Sequence, residues 1–271
     1  MRTGLAAWGL RETPLEKQLI MAKELGVSLL ELGIGAWKDD FLQPDAGPER
    51  IAFVRELFCR YGITMECACL GNDFDGEGAD ASLETSLKCI DIAAQLGVKI
   101  FRIFAGFTPL ARLTPAMRKK ELECLRTAAE HASEAGLVPA METHGAVEPF
   151  ADGVRHIASS STDMGHVAET LAAVPELQLN FDPANLLAVQ VDPIAFYHRF
   201  ADRIKYVHLK DFALLPGGGL KGGACGEGGV PWNELLKFFR GTDIPCLIEY
   251  EQPADIREGF VRSLEHIAKC S

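Results

Sequence analysis

The chain has 271 residues, 48% hydrophobic and 24% charged, the balance of a globular protein with a substantial core. A net charge of −11 without a basic stripe excludes nucleic acid as the main partner, because phosphate binding needs clustered Lys and Arg. No secretory h-region follows Met1 and no run approaches the roughly 18 apolar residues of a membrane span, so neither a signal segment nor a membrane partner is expected.

Taken in chain order, strands are expected near 4–8, 28–34, 64–70, 99–105, 138–144, 177–182, 204–210 and 246–251. Helices are expected over 14–25, 48–61, 82–95, 114–134, 161–173, 192–200, 231–240 and 255–269. Four helical patterns end in a glycine that a β-type run follows at once: Gly26, Gly62, Gly97 and Gly136, spaced by 36, 35 and 39 residues. That spacing is close to one βα unit of an eight-fold barrel. Thr13-Pro14-Leu15-Glu16 has the pattern of a capping box, and Thr114-Pro115 and Asp192-Pro193 each pair a cap with a first-turn proline.

Eight strands alternating with eight helices point to an α/β fold, the closed (β/α)8 TIM barrel, as one domain over 1–271. The open Rossmann alternative lacks a G-x-G-x-x-G after its first strand. The eight cysteines scatter without a CxxC pair, which argues against structural zinc and for free thiols in a reduced, cytoplasmic protein. Two loops stand out. Pro216 to Val230 is too glycine-rich to be stiff and is expected as a lid over the barrel mouth or as a loose insertion. Gly71 to Glu77 carries acidic residues without the full spacing of a calcium loop and is expected as a solvated acidic loop.

Four strands end in residues able to hold a metal: Glu142, Asp182, His208 and Glu249. In a closed parallel barrel those ends converge on one mouth. Singly each has a plainer reading, Asp182 before Pro183 as a helix cap and His208 as a packed core histidine. Together they define a candidate centre for one divalent metal ion, and oxygen-rich ligation with one nitrogen suits Mn²⁺ or Mg²⁺ better than a thiolate-selected metal. Lys210 could offset the excess negative charge. Alternation along the strands places Glu142 with His144, Asn180 with Asp182, Tyr206 with His208 and Lys210, and Glu249 with Glu251 inside the barrel. Glu31, Glu66 and Arg102 would also point inward, where salt bridging of Arg102 with Glu66 or Glu31 is the plain expectation.

The chain resembles the xylose isomerase-like TIM barrels, specifically the sugar phosphate isomerase/epimerase family of ketose 3-epimerases and hydroxypyruvate isomerases. The resemblance spans essentially the whole chain. It rests on Met141-Glu142-Thr143-His144, Asn180-Phe181-Asp182-Pro183-Ala184-Asn185, Val207-His208-Leu209-Lys210-Asp211, Gly226-Glu227-Gly228-Gly229-Val230-Pro231-Trp232 and Leu247-Ile248-Glu249-Tyr250-Glu251. It implies Glu142, Asp182, His208 and Glu249 as ligands of Mn²⁺, Mg²⁺, Co²⁺ or Zn²⁺, and Glu142 and Glu249 as an acid/base pair. These two would move a proton of a small sugar or hydroxy-keto substrate through a cis-enediolate. His144, Asn185, Lys210, Glu227, Glu148 and Trp8 become candidate substrate neighbours, and a homo-oligomer is implied. Position 185, where many relatives carry His, is Asn here; its amide can hydrogen-bond a sugar hydroxyl but cannot exchange a proton in the same way. A metal-dependent lyase resembling inosose dehydratases and a noncatalytic sugar-binding barrel are the alternatives. The DNA-repair branch, endonuclease IV, needs further histidines, and none precedes His131.

Overall fold

The computed structural model describes residues 1–35 and 42–270. The chain begins with β1 (Arg2–Leu5) and α1 (Leu15–Glu24), then a strand split into β2 (Leu29–Leu30) and β3 (Leu32–Gly33). There follow α2 (Pro48–Tyr61), β4 (Cys67–Cys69), α3 (Ala79–Leu96), β5 (Ile100–Ile103), α4 (Pro115–Glu134) and β6 (Val138–Glu142). A hairpin, β7 (Ala146–Phe150) and β8 (Gly153–Ile157), precedes α5 (Met164–Ala173), β9 (Gln178–Phe181), α6 (Pro183–Ala188) and α7 (Pro193–Phe200). The rest is β10 (Ile204–Leu209), the hairpin β11 (Asp211–Leu214) and β12 (Leu220–Gly223), α8 (Trp232–Phe239), β13 (Pro245–Ile248) and α9 (Ile256–Cys270).

The main sheet runs β2-β1-β13-β10-β9-β6-β5-β4-β3 with every pairing parallel. Its two ends, β2 and β3, are halves of one strand interrupted at Glu31, whose N–H still donates to Leu5 O at 2.9 Å. The sheet therefore closes on itself, and the fold is the expected TIM barrel. Inward positions form a small core of Ala6, Leu29, Cys67, Ile100, Ala140, Tyr206 and Leu247. The outward residues Met141, Leu179, Phe181, Val207, Leu209 and Ile248 join the larger core under the helices, as strand alternation requires.

Local chemistry accounts for most boundaries. Gly62 and Gly97 close their helices in the left-handed region, with φ of 68° and 81°. Thr114 accepts from Met117 N at 3.2 Å and Asp192 from Ile194 N at 2.8 Å, so both expected caps form. Thr13 does not cap α1. Its carbonyl accepts from Gln18 Nε2 at 2.7 Å, and the helix starts uncapped after Pro14. The acidic loop after β4 is not wholly solvated either, because Asp75 is buried and accepts from Thr108 N at 3.0 Å and Oγ1 at 2.8 Å. Among the described residues no helix is long and apolar enough to cross a membrane.

The glycine-rich stretch after β10 departs most from expectation. Its first part forms β12, which pairs with β11 just before it and joins β8 and β7 in a four-stranded antiparallel sheet, β11-β12-β8-β7. Its glycines permit close approach. A Cβ at Gly219 would lie 2.8 Å from Phe150 O, and one at Gly228 would overlap the carboxylate of Asp211. Buried Asp211 organises the remainder, accepting from Gly226 N at 3.0 Å, Trp232 Nε1 at 3.0 Å and Val230 N at 3.4 Å. Replacing Asp211 with Ala strands these donors, so it should cost about 3 kcal/mol, at roughly 1 or more per stranded buried group. Equilibrium chemical denaturation followed by circular dichroism measures this, and a cost below about 1 kcal/mol would contradict the organising role.

Candidate metal and active site

The carboxyl-terminal ends of β6, β9, β10 and β13 bring four side chains together. Glu142, Asp182, His208 and Glu249 each offer a ligand atom, and those atoms all lie within 4.8 Å of one another. All four are buried. His208 Nδ1 lies 2.9 Å from Glu249 Oε2 and 3.6 Å from Glu142 Oε1. Its Nε2 shares a hydrogen bond of 3.0 Å with the Tyr206 hydroxyl, so Nδ1 is the nitrogen presented to the cluster. Asp182 has two tasks. Oδ1 caps α6, accepting from the N–H groups of Ala184 and Asn185 at 3.0 Å each, while Oδ2 is buried without a hydrogen-bond partner. Glu142 Oε2 is likewise buried and unpartnered by hydrogen bonds.

Charge compensation is incomplete. The buried or half-buried carboxylates Glu31, Glu142, Asp182, Glu249 and Glu251 face two permanent cations, Arg102 and Lys210. Arg102 Nε sits 3.2 Å from Glu142 Oε2, and Lys210 Nζ lies 2.9 Å from Glu249 Oε1 and 2.7 Å from Glu251 Oε1. Burial opposes ionisation of Glu142, but Arg102 and His208 more than offset it and hold the group below the usual range. Burial opposes ionisation of Glu249 too, and Lys210 with His208 hold it well below that range. Asp182 is pushed up to about 8 by burial, against the pull of Lys210. For His208 burial favours the neutral ring, yet Glu249 and Glu142 outweigh it and raise the imidazole well above its ordinary value. Asp182 Oδ2 and Glu142 Oε2, both buried without a hydrogen bond, together with Glu249 and the His208 ring, fit a divalent cation held by three oxygens and one nitrogen.

Above the cluster lies a cavity of about 370 Å³. Of the four ligand-type residues, Glu142 and Glu249 line it, whereas Asp182 and His208 are fully buried outside its lining. The expected substrate neighbours divide. Trp8 and His144 line the cavity. Lys210 and Asn185 are buried behind it, Lys210 tied to the carboxylates and Asn185 Nδ2 3.3 Å from Glu142 Oε1, so Asn185 positions a glutamate. Glu148 and Glu227 do not line the cavity. Glu148 is exposed on the hairpin, 3.6 Å from Arg112, and Glu227 braces its loop by accepting from Ala224 N at 2.8 Å and Arg262 Nε at 2.7 Å. Glu66 also leaves the interior, pairing with Arg2 at 2.5 Å, and Arg102 serves Glu142.

Sequence reasoning missed the apolar wall: Leu70, Phe104, Phe107, Val147, Val154 and the imidazole of His156. A signal was present. Asp152-Gly153 is a hairpin-type dipeptide, although the two residues that turn are Ala151, at φ 50°, and Asp152, and the hairpin carries Val147, Val154 and His156 to the mouth. His144 packs edge-on against Phe104 and Phe107 at centroid distances of 5.2 and 5.4 Å. Its Nδ1 is 2.6 Å from Gly145 O, which can only accept, so Nδ1 carries the proton and Nε2 of the neutral ring is an acceptor. Burial pushes His144 down to about 4 and His156 down to about 3.

A closed parallel barrel with a carboxylate–imidazole cluster at its mouth defines the class, a TIM barrel with a candidate metal centre. The family model of xylose isomerase-like TIM barrels matches residues 19–270, and the chain belongs to that family. No curated protein matches it in sequence. Among solved structures it is similar to a xylose isomerase domain protein from Planctomyces limnophilus, at 20% identity and a TM-score of 0.74 over 93% of this chain and 92% of that one. A D-allulose 3-epimerase from Methylomonas sp. aligns at 16% identity and a TM-score of 0.74, over 100% and 98%. A probable 3-DHS dehydratase from Bacillus anthracis aligns at 15% and 0.77, over 99% of both chains. At these identities the likeness is one of fold.

Two outcomes follow from the geometry. Elemental analysis after incubation with Mn²⁺, Mg²⁺, Co²⁺ or Zn²⁺ should find close to one equivalent in the native protein and almost none in a Glu142→Gln, His208→Ala double variant; equal content in both would remove the centre. The second concerns acid stability. His156 titrates at about 3 when folded and near 6.5 when unfolded, so the unfolded chain takes up the proton first. Its contribution is full above about pH 6.5 and drains by about 1.4 kcal/mol per pH unit below it. His156→Phe should flatten the fall of the denaturation midpoint between pH 7 and pH 5, and parallel curves would refute the assignment.

Proposed function

We propose that this protein is a divalent-metal-dependent isomerase or epimerase of a small sugar or hydroxy-keto compound, with Glu142 and Glu249 as its acid/base pair. The observation that supports this most directly is the division within the cluster: the two glutamates line the cavity while Asp182 and His208 are buried outside its lining. Glu142, Asp182, His208 and Glu249 would hold the ion, which when bound polarises a carbonyl and its neighbouring hydroxyl and stabilises the charge left by a departing α-proton.

The chain's own groups supply the rest. Glu142 and Glu249 are kept ionised by Arg102 and by Lys210, so either can accept a proton from the carbon beside the carbonyl. One carboxylate removes the α-proton to give a cis-enediolate, and a carboxylate then returns a proton. Return to the opposite face of the same carbon is epimerisation, and return to the adjacent carbon is isomerisation. Phe104, Phe107, Val147 and Val154 keep the wall above the glutamates apolar, which limits water at the reacting carbon.

The test is exchange of the substrate α-proton with solvent deuterium, read by NMR and mass over a panel of ketoses and inososes with the metal-supplemented protein. Exchange is expected, reduced about a hundredfold to ten-thousandfold in Glu142→Gln and in Glu249→Gln. A product lighter by one water would replace this reading with the lyase. Ketose binding without exchange would replace it with a noncatalytic sugar-binding barrel.

A further inference from the structure

His156 has no task in the chemistry above, yet it is placed as though it had one. It sits on β8 opposite Val147, and both line the cavity. It is 8% exposed, and its Nδ1 is buried without a hydrogen-bond partner. Its ring packs against Phe212 with centroids 4.6 Å apart and lies 6.0 Å from the ring of His144. A buried imidazole nitrogen left unpaired costs about 1–3 kcal/mol, and in such surroundings a phenylalanine would pack without that cost. His156 lines the cavity, so a partner for this nitrogen can come from whatever fills it.

The same wall restricts what that is. Among the described residues lining the cavity, Arg102 is the sole Lys or Arg. It is already occupied by Glu142, by the carbonyl of Leu70 at 3.0 Å and by the Phe104 ring at 4.1 Å. Glu142, Glu249 and Glu251 add negative charge to the lining. A phosphate or carboxylate against the wall of Val147, Val154 and His156 would lose its hydration without gaining a free cation. A hydroxyl suits it, since a neutral imidazole offers one donor and one acceptor and a hydroxyl can meet either.

We propose that His156 determines specificity for the end of the substrate remote from the reacting carbons, hydrogen-bonding a hydroxyl there, and that this end is uncharged: the substrate class is a free, unphosphorylated polyhydroxy ketone. This rests on the ketose reading of the site given under Proposed function. His144, whose Nε2 is an acceptor, supplies the second polar group of an otherwise apolar wall.

The experiment titrates the Mn²⁺-supplemented protein with D-tagatose and L-ribulose and with their terminal phosphates, while following the imidazole ¹⁵N resonances. The His156 signals are identified by their loss in His156→Phe. At least one free ketose is expected to bind, to shift the His156 resonances and to bind about tenfold more weakly to His156→Phe. His156→Asn, which keeps a donor and an acceptor, should recover part of the loss, and each phosphate should bind more weakly than its parent. Where turnover is seen, His156→Phe should raise KM and leave kcat nearly unchanged. The proposal is overturned if phosphates bind more tightly than free ketoses, if neither free ketose binds, or if one binds without moving the His156 signals. Failure of the acid/base reading looks different: the binding pattern and the His156 shift would persist with no deuterium entering the ketose. Conversely, exchange that proceeds with KM unaltered in His156→Phe would keep that reading and discard this one.

Discussion

Carboxylates crowded into the mouth of a closed barrel repel one another, and burial deprives them of the water that would screen that repulsion. Much of the architecture around them answers this constraint. Arg102 reaches Glu142 from the end of β5 and is itself held by the Leu70 carbonyl. Lys210, fully buried, joins Glu249, Glu251 and the edge of Asp182. His208 leans its Nδ1 toward Glu249 while Tyr206 occupies Nε2. The ring of Tyr206 lies in the small apolar core, so a single side chain joins that apolar core to the charged cluster. The charge still outstanding is negative, the sign that a bound cation would offset.

The second constraint is access. A barrel mouth is open, and proton transfer beside a carbonyl needs a site from which bulk water is excluded. Here the two hairpins after β6 and β10 meet as one antiparallel sheet, so the site's roof is built by hydrogen-bonded strands. The roof depends on close backbone approach at Gly153 and Gly219 and on the Asp211 carboxylate, which gathers Gly226, Val230 and Trp232. The conspicuous glycines after Lys210 thus serve packing, and the motif from Gly226 to Trp232 is mainly an instruction for folding a loop.

Legibility in the sequence followed physical scale. The barrel was readable because helix-closing glycines and apolar strand runs act locally and repeat. The four ligand-type residues were readable because strand alternation and barrel closure convert a position in the chain into a position in space. Side-chain partners were less so. Arg102 and Glu66 share a barrel but not a depth, and Glu66 meets Arg2 at the opposite end. Glu227 lies in a family-like motif, yet its carboxylate turns back to Ala224 and Arg262. The apolar wall with His156 was only partly legible: Asp152-Gly153 marks a turn locally, but the pairing of Val154 with Leu220, 66 residues on, has no local signature.

Asp182 shows why reading such a residue as either a cap or a ligand poses a false choice. A carboxylate has two oxygens, and the short aspartate stem directs them differently. Oδ1 turns onto the first N–H groups of α6, and Oδ2 is left in the buried cluster without a hydrogen-bond partner. A longer side chain could reach the cluster but would lose the cap geometry; an asparagine could keep the cap but would bring no charge. The residue therefore ties the formation of α6 to the formation of the centre. With one oxygen fixed on α6 and the side chain outside the cavity lining, it is placed to hold the cluster together rather than to touch what fills the cavity. Of the four, Glu142 and Glu249 are the ones that line the cavity, so access to it is set by where the backbone places each carboxylate.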